Sequence, residues 1–227
     1  MLAPAAEAHE AVLDRVYRHQ RYAYDFTRKY YLFGRDRLIR ELDLRPGERL
    51  IEVGSGTARN LIAIARRYPG AELFGLDASA EMLKTAGQAI DRAGMSGRIK
   101  LAHGLAEGLQ PALFGDSRPF DRIVFSYSLS MIPQWKQSLN RASGALAADG
   151  SIHVVDFGDF AGMGGGAATP LRAWLRLFHV QPRIELLQAL ESVVAEKTPG
   201  SGDLWILPGR YAFGWRCSSQ GVSDLSL

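Results

Sequence analysis

A chain of 227 residues, 47% hydrophobic and 22% charged, holds enough apolar material to bury one core without staples. Lys and Arg number 27 against 24 Asp and Glu, a net charge of +3, so overall charge alone dictates no partner. The one cysteine, Cys217, excludes an internal disulfide and reads as an inert, half-buried thiol. No apolar run of about 18 residues is present, and the opening MLAPAAEAHE does not read as a signal peptide, so a cytoplasmic chain is expected.

From about Glu7 to Leu44 the pattern predicts helix, with Gly34 the one glycine inside it. Arg45-Pro46-Gly47 is a turn. RLIEV (49–53) is a buried strand, followed by a helix to about Tyr68. ELFGL (72–76) is the next strand, and Ser79 is placed to cap a helix that runs to Arg92. RIKLAH (98–103) and DRIVFS (121–126) are further strands, and a helix follows from about Pro133 to Ala147. Asp149-Gly150 turns into SIHVVDF (151–157), the fifth strand. GDFAGMGGG then reads as a flexible loop, with helical segments near 170–179 and 183–195. DLWIL (203–207) and RYAFGWR (210–216) predict a hairpin at a sheet edge, and the tail from Ser218 a frayed end. Alternating strands and helices imply an α/β, doubly wound, mostly parallel sheet of seven strands, Rossmann-like, with helices on both faces. A single domain over 1–227 is expected: a helical segment at 7–44, a core at 48–217 and a tail at 218–227.

The most informative stretch is LIEVGSGTARNL (50–61). A buried strand runs into two close glycines and then a helix. Gly54 permits a tight turn, Gly56 lets backbone approach a ligand, and the helix beyond offers unpaired N–H groups. Asp77, at the end of the next strand, is placed to accept the two hydroxyls of a ribose. A dinucleotide loop wants a third glycine where this chain has Arg59, which counts against NAD. Glu52, two residues before the first glycine, suits a ligand with a cationic amino-acid end, such as S-adenosylmethionine. His153 lies inside a strand and reads as a core histidine.

From Arg49 to Phe157 the chain resembles the class I methyltransferases. EVGSGTA resembles their glycine loop, with Ala58 in place of a third glycine; GLDAS followed by EML resembles their ribose segment; FDRIVFSYSLSMIP and LAADGSIHVVDF resemble their fourth and fifth strands. The resemblance implies S-adenosyl-L-methionine as cofactor and no metal. It puts Glu52, Gly54, Ser55, Gly56, Thr57, Asp77 and Ser126 around the cofactor. Many relatives carry an acid after the glycine of HG; here that position is Leu105. The adenine is then expected against Gly104 and the backbone of Leu105 and Ala106, with Ala78 and Met82 packing on it. Tyr127 and Asp156, at the ends of the fourth and fifth strands, are the expected catalytic pair. Tyr127 lines the acceptor pocket, and Asp156 attracts an ammonium or takes its proton.

The segment before the first strand is expected to form a lid over the site. Tyr17 to Arg37 holds five of the eight tyrosines and six Arg or Lys. Tyr17, Tyr24 and Tyr31 are seven apart and share one helical face, with His19, Arg28 and Lys29 beside them. Rings hold ammonium and cations hold carboxylate, so these six residues are the expected acceptor contacts. YRHQRYAYDFTRKYYLFGRDRLI, VDFGD and FHVQPR together resemble the methyltransferases of bacterial betaine-lipid synthesis, the BtaB type. That resemblance implies trimethylation of the amine of diacylglyceryl-homoserine at a membrane surface, with peripheral association on the inner face. It also implies action alongside the enzyme that makes the homoserine lipid. Phosphatidylethanolamine or another small acceptor is the alternative within the fold, and a non-catalytic adenosylmethionine-binding or membrane-surface module the alternative outside it. No nucleic-acid partner is expected.

Overall fold

The computed structural model describes residues 32–177, 180–195, 202–223 and 225. Seven strands form one sheet in the order β3-β2-β1-β4-β5-β7-β6: β1 (Arg49–Val53), β2 (Glu72–Asp77), β3 (Ile99–His103), β4 (Phe120–Ser126), β5 (Leu146–Phe157), β6 (Asp203–Ile206) and β7 (Ala212–Cys217). The first five pair in parallel, with Leu50 of β1 opposite Leu73 of β2 and Arg122 of β4. β7 runs antiparallel to β5, and β6 pairs antiparallel with β7, so the expected hairpin closes one edge. This is the Rossmann-like architecture the alternating pattern implies.

Every residue of β1 is buried, because β1 is central and covered on both faces. Strand periodicity sorts its side chains: Leu50 joins one apolar cluster, and Ile51 and Val53 the other. Helices α1 (Arg35–Glu41), α2 (Arg59–Arg67), α3 (Ala80–Arg92) and α5 (Gly165–Leu177) contribute to the first cluster. The second takes α4 (Trp135–Ala145), α6 (Ile184–Ala195) and α7 (Ser219–Ser223). α3 starts and ends where local chemistry dictates. The Ser79 hydroxyl accepts from the Met82 amide at 3.3 Å, Glu81 sits in the first turn and Arg92 in the last.

Four expectations change. Of the helix expected over 7–44, residues 7–31 lie outside the described residues; from 32 onward only α1 is helical. Gly34 precedes it at φ 87°, where an added Cβ would lie 2.6 Å from the Trp205 ring. Beyond α1 the Arg122 side chain takes the carbonyls of Leu42 at 2.9 Å and Asp43 at 3.4 Å, and Asp43 turns at φ 46°. The turn expected at 149–150 is absorbed into β5, which starts at Leu146. Its pairing with β4 shifts register between Phe120 and Arg122 to take up the extra residues. The glycine-rich loop is shorter than expected, because α5 already begins at Gly165 and buries Ala168 and Leu175. The tail is not frayed through 223: α7 buries Val222, Leu225 follows it into the core, and the Ser143 hydroxyl donates to the Ser219 carbonyl at 3.1 Å.

Candidate cofactor site

The chain leaves β1 through Gly54, and the loop is pinned to the end of β2. The amides of Gly54 and Ser55 donate to the Leu76 carbonyl at 2.8 and 3.1 Å, and the Gly56 amide donates to Asp77 Oδ2 at 2.7 Å. Gly54 sits at φ 75°, and a Cβ there would lie 2.6 Å from the Ser128 Cβ. The loop therefore passes between β2 and the loop after β4 only because position 54 has no side chain. Ala58 takes a left-handed conformation, φ 59°, at the head of α2, and no side chain caps that helix. Its first amides are left facing the loop.

Around this loop lie two adjoining recesses that share Gly54. The larger, about 700 Å³, is walled by Gly54, Gly56, Asp77, Ala78, Met82, Gly104, Leu105, Ala106 and Tyr127, all expected site residues. Leu76, Met131 and Ile132 make the rest of that wall largely apolar, a suitable bed for a flat heterocycle. The smaller, about 380 Å³, gathers Glu52, Ser55, Thr57 and Ser126 with Arg35, Arg59 and Asn60. Glu52 is buried and accepts from the Asn60 side-chain amide at 2.7 Å.

Several contacts were not read from the sequence. Arg59 appeared there only as a misfit to a dinucleotide loop, and Asn60 not at all. The available signal was an amide one position into the helix after the loop, where it returns over the acid of the preceding strand. Glu107, two residues past Leu105, also lines the larger recess and brings an acid beside the position where Leu105 replaces one.

Asp77 has two tasks. Its Oδ1 accepts from the Ser79 amide at 2.9 Å while Oδ2 holds Gly56, so it orders the loop and still faces the larger recess. Tyr127 is buried at φ 55°, and its amide donates to the Val155 carbonyl at 2.7 Å. Its hydroxyl donates to the Phe33 carbonyl at 2.5 Å, and burial pushes its pKa well above the usual phenol value. Its ring walls the recess while its oxygen ties residue 33 to the sheet.

Asp156 is placed differently from expectation. It does not line either recess; its oxygens accept from the Ser130 amide at 2.9 Å and the Phe157 amide at 2.7 Å. Burial raises its pKa, opposed by those hydrogen bonds and by Arg183. Its carboxylate ties the end of β5 to the 127–132 loop. His153 is buried, as expected, beside the Ser151 hydroxyl at 2.9 Å. The Cys217 thiol is buried, which pushes its pKa up. The six expected acceptor contacts, Tyr17, His19, Tyr24, Arg28, Lys29 and Tyr31, lie outside the described residues. Among the described residues no cluster of His, Cys, Asp and Glu is arranged to hold a metal ion.

The donor set suits one kind of ligand. An apolar bed beside Asp77 fits a nucleoside. The smaller recess offers both an acid and arginines, as a zwitterionic amino-acid end requires. There the buried hydroxyls of Ser55 and Ser126 have no partner among the described residues, so a polar ligand would satisfy them. Residues 50–150 match the family model described as a methyltransferase domain. This chain carries a class I methyltransferase domain. Its cofactor is S-adenosylmethionine, and the two recesses fit that molecule's two ends.

A ubiquinone/menaquinone biosynthesis C-methyltransferase of Syntrophotalea carbinolica is 30% identical over 169 residues, 71% of this chain and 66% of that protein. A trans-aconitate 2-methyltransferase of Pseudomonas paraeruginosa is 30% identical over 164 residues, 71% of this chain and 48% of that protein. The chain thus spans less than two thirds of the length of these relatives. The fold also matches a putative methyltransferase solved with the Haloferax volcanii Trm112 activator. The TM-score is 0.66 at 12% identity, over 91% of this chain and 96% of that one.

Proposed function

We propose that the methyltransferase domain moves a methyl group from S-adenosylmethionine to the amine of a lipid headgroup, diacylglyceryl-homoserine, three times in succession. The observation that carries the acceptor class is a chain of rings leading from the cofactor recess. Tyr127 stands edge-on to Phe157 at 4.7 Å, and Phe157 meets Phe160 at 6.3 Å and Tyr211 at 6.1 Å. Tyr211 meets Phe33 at 5.4 Å. Phe33, 56% exposed, ends the chain two residues before Arg35. The buried rings hold Phe33 in place, and its exposed face with the Arg35 guanidinium suits a group carrying both an ammonium and a carboxylate. The wider resemblance to betaine-lipid methyltransferases supports the same acceptor.

Bound cofactor supplies an electrophilic methyl on a sulfonium. The protein's part is alignment and exclusion of water. The pinned glycine loop fixes the cofactor bed, Asp77 holds that loop in register, and Asp156 holds the 127–132 loop that walls the recess. In-line displacement gains much of its rate from such positioning. A second reading is favoured by the 30% identity to a ubiquinone/menaquinone biosynthesis C-methyltransferase: the largely apolar wall of the larger recess also admits a quinone ring.

Labelled S-adenosylmethionine offered with diacylglyceryl-homoserine, phosphatidylethanolamine and a demethylated quinone separates these readings. Trimethylated homoserine lipid is expected. Label entering the quinone alone transfers the assignment to the second reading. Asp77→Ala is expected to lower cofactor affinity at least about 100-fold by calorimetry, because two charge-assisted hydrogen bonds that order the loop go with the ribose contact. Wild-type affinity in that variant rules out the ribose placement.

A further inference from the structure

A groove of about 1040 Å³ lies where the chain leaves β5, between α5 and the start of α6, outside the cofactor site. Phe160 and Val180 lie in its wall, and Arg172 and Arg176, one helical turn apart, stand on its rim. Two large apolar side chains protrude beside those arginines: Leu177 is 70% exposed and Ile184 42%.

Among the described residues the rim keeps one net positive charge, since Arg172, Arg176 and Arg210 outnumber the carboxylates of Asp159 and Glu191. The carboxylate of Asp159 is held by Arg210 at 2.8 Å, and Arg210 also holds Glu191 at 2.6 Å. Glu185, next to Ile184, faces Lys136 at 3.7 Å. Arg172 donates to the Asp159 backbone carbonyl, a neutral group. Among the described residues Arg176 makes no hydrogen bond or ion pair. Exposed apolar side chains flanked by arginines that, among the described residues, form no ion pair match the headgroup and acyl boundary of an anionic bilayer.

We propose that this rim is where the protein sits on an anionic lipid surface. Leu177 and Ile184 enter the acyl boundary, and Arg172 and Arg176 meet lipid phosphates. The position gives the contact a use. Gly158 follows the last residue of β5, so the groove opens at the carboxyl end of the sheet, as the cofactor recess does. Phe160 belongs to the ring chain that ends on Tyr127. A headgroup drawn from the bilayer at this edge arrives beside the methyl donor. The surface deepens the lipid-acceptor reading, but its test measures adsorption and not turnover.

Sedimentation of the whole chain with vesicles of phosphatidylcholine, alone or mixed with an equal part of phosphatidylglycerol, tests it. Binding to the mixed vesicles and little to the neutral ones is expected. Arg176→Glu removes one attraction and adds one repulsion, each worth roughly fivefold, so partition onto the mixed vesicles should fall about ten- to thirtyfold. Leu177→Asp should weaken it similarly. Cofactor affinity should hold in both, since neither side chain touches the recess. Wild-type adsorption by both variants, or none by the wild type, overturns the proposal. A dimer on sizing that Leu177→Asp abolishes, without adsorption, assigns the face to a second copy of the chain instead. A protein that adsorbs through this rim yet labels no homoserine lipid loses the acceptor and keeps the surface.

Discussion

Gly54 meets two constraints at once: a φ of 75° and a neighbour, Ser128, that would touch any Cβ at 2.6 Å. The left-handed backbone alone costs an L residue about 1–2 kcal/mol. Gly54→Ala should therefore lower the melting temperature and, by pushing Ser128 and the glycine loop apart, weaken cofactor binding at least about tenfold. Paired thermal melts and calorimetry check it; a melt that falls while affinity holds would show that the loop re-seats. Ala58 takes a left-handed conformation four residues later with its methyl buried in the core. Asp156 poses a different question, since its carboxylate faces two backbone amides and not the recess. Asp156→Asn turns an acceptor into a donor against one of those amides and should displace the 127–132 loop. The rate should fall, while the pH at half-maximal rate should not move. A shifted acid limb would instead restore Asp156 as a proton carrier.

Among the elements, the join between residue 33 and the sheet includes a side-chain hydrogen bond from Tyr127. Tyr127→Phe keeps the ring on Phe157 and loses the hydroxyl that donates to the Phe33 carbonyl. A cost of about 1 kcal/mol is expected. Hydrogen exchange should quicken at residues 32–38 and stay unchanged in β1 and β4; uniform exchange would mean the tether is redundant. The elements also show what a sequence displays and what it hides. Ser79 and the helix it caps were legible because the cap and its partner are three residues apart. Gly54, Gly56 and Asp77 were legible because strand, loop and strand end are read in one short span. The Glu52–Asn60 bond was not, because it needs a strand and the next helix placed in space. The start of α5 was hidden by its glycines, which read as a loop until burial of Ala168 and Leu175 is known. α7 was hidden in a polar tail whose few apolar residues, Val222 and Leu225, find a core that only tertiary packing supplies. For Asp156 the strand end was legible but its amide partners were not, since a strand's period does not say which groups a side chain meets.

At the scale of the whole molecule, acid stability turns on His153. It lies in β5 opposite Arg216 of β7, with its ring against the Ser151 hydroxyl. Burial is the main cause of a pKa lowered to about 3, and Arg216 and Arg122 add to it. An unfolded histidine takes its proton near pH 6.5, so between about 6.5 and 3 the unfolded chain binds one proton more than the folded one. Stability is therefore fully present above that window and lost as pH falls through it, by on the order of 5 kcal/mol at the acid end. Asp156 acts with the opposite sign: its raised pKa makes the folded state bind a proton first, which offsets part of the loss on the acid side. The sum is a fall in stability that begins near pH 6.5, before the surface carboxylates titrate. His153→Gln keeps a polar group for Ser151 and has no proton to gain. Urea unfolding from pH 7 down to 4 should show the wild type weakening steadily and the variant nearly flat over the first two units. Parallel curves would mean that the buried imidazole opens to water before it charges, and that the sheet between β5 and β7 is looser than its packing indicates.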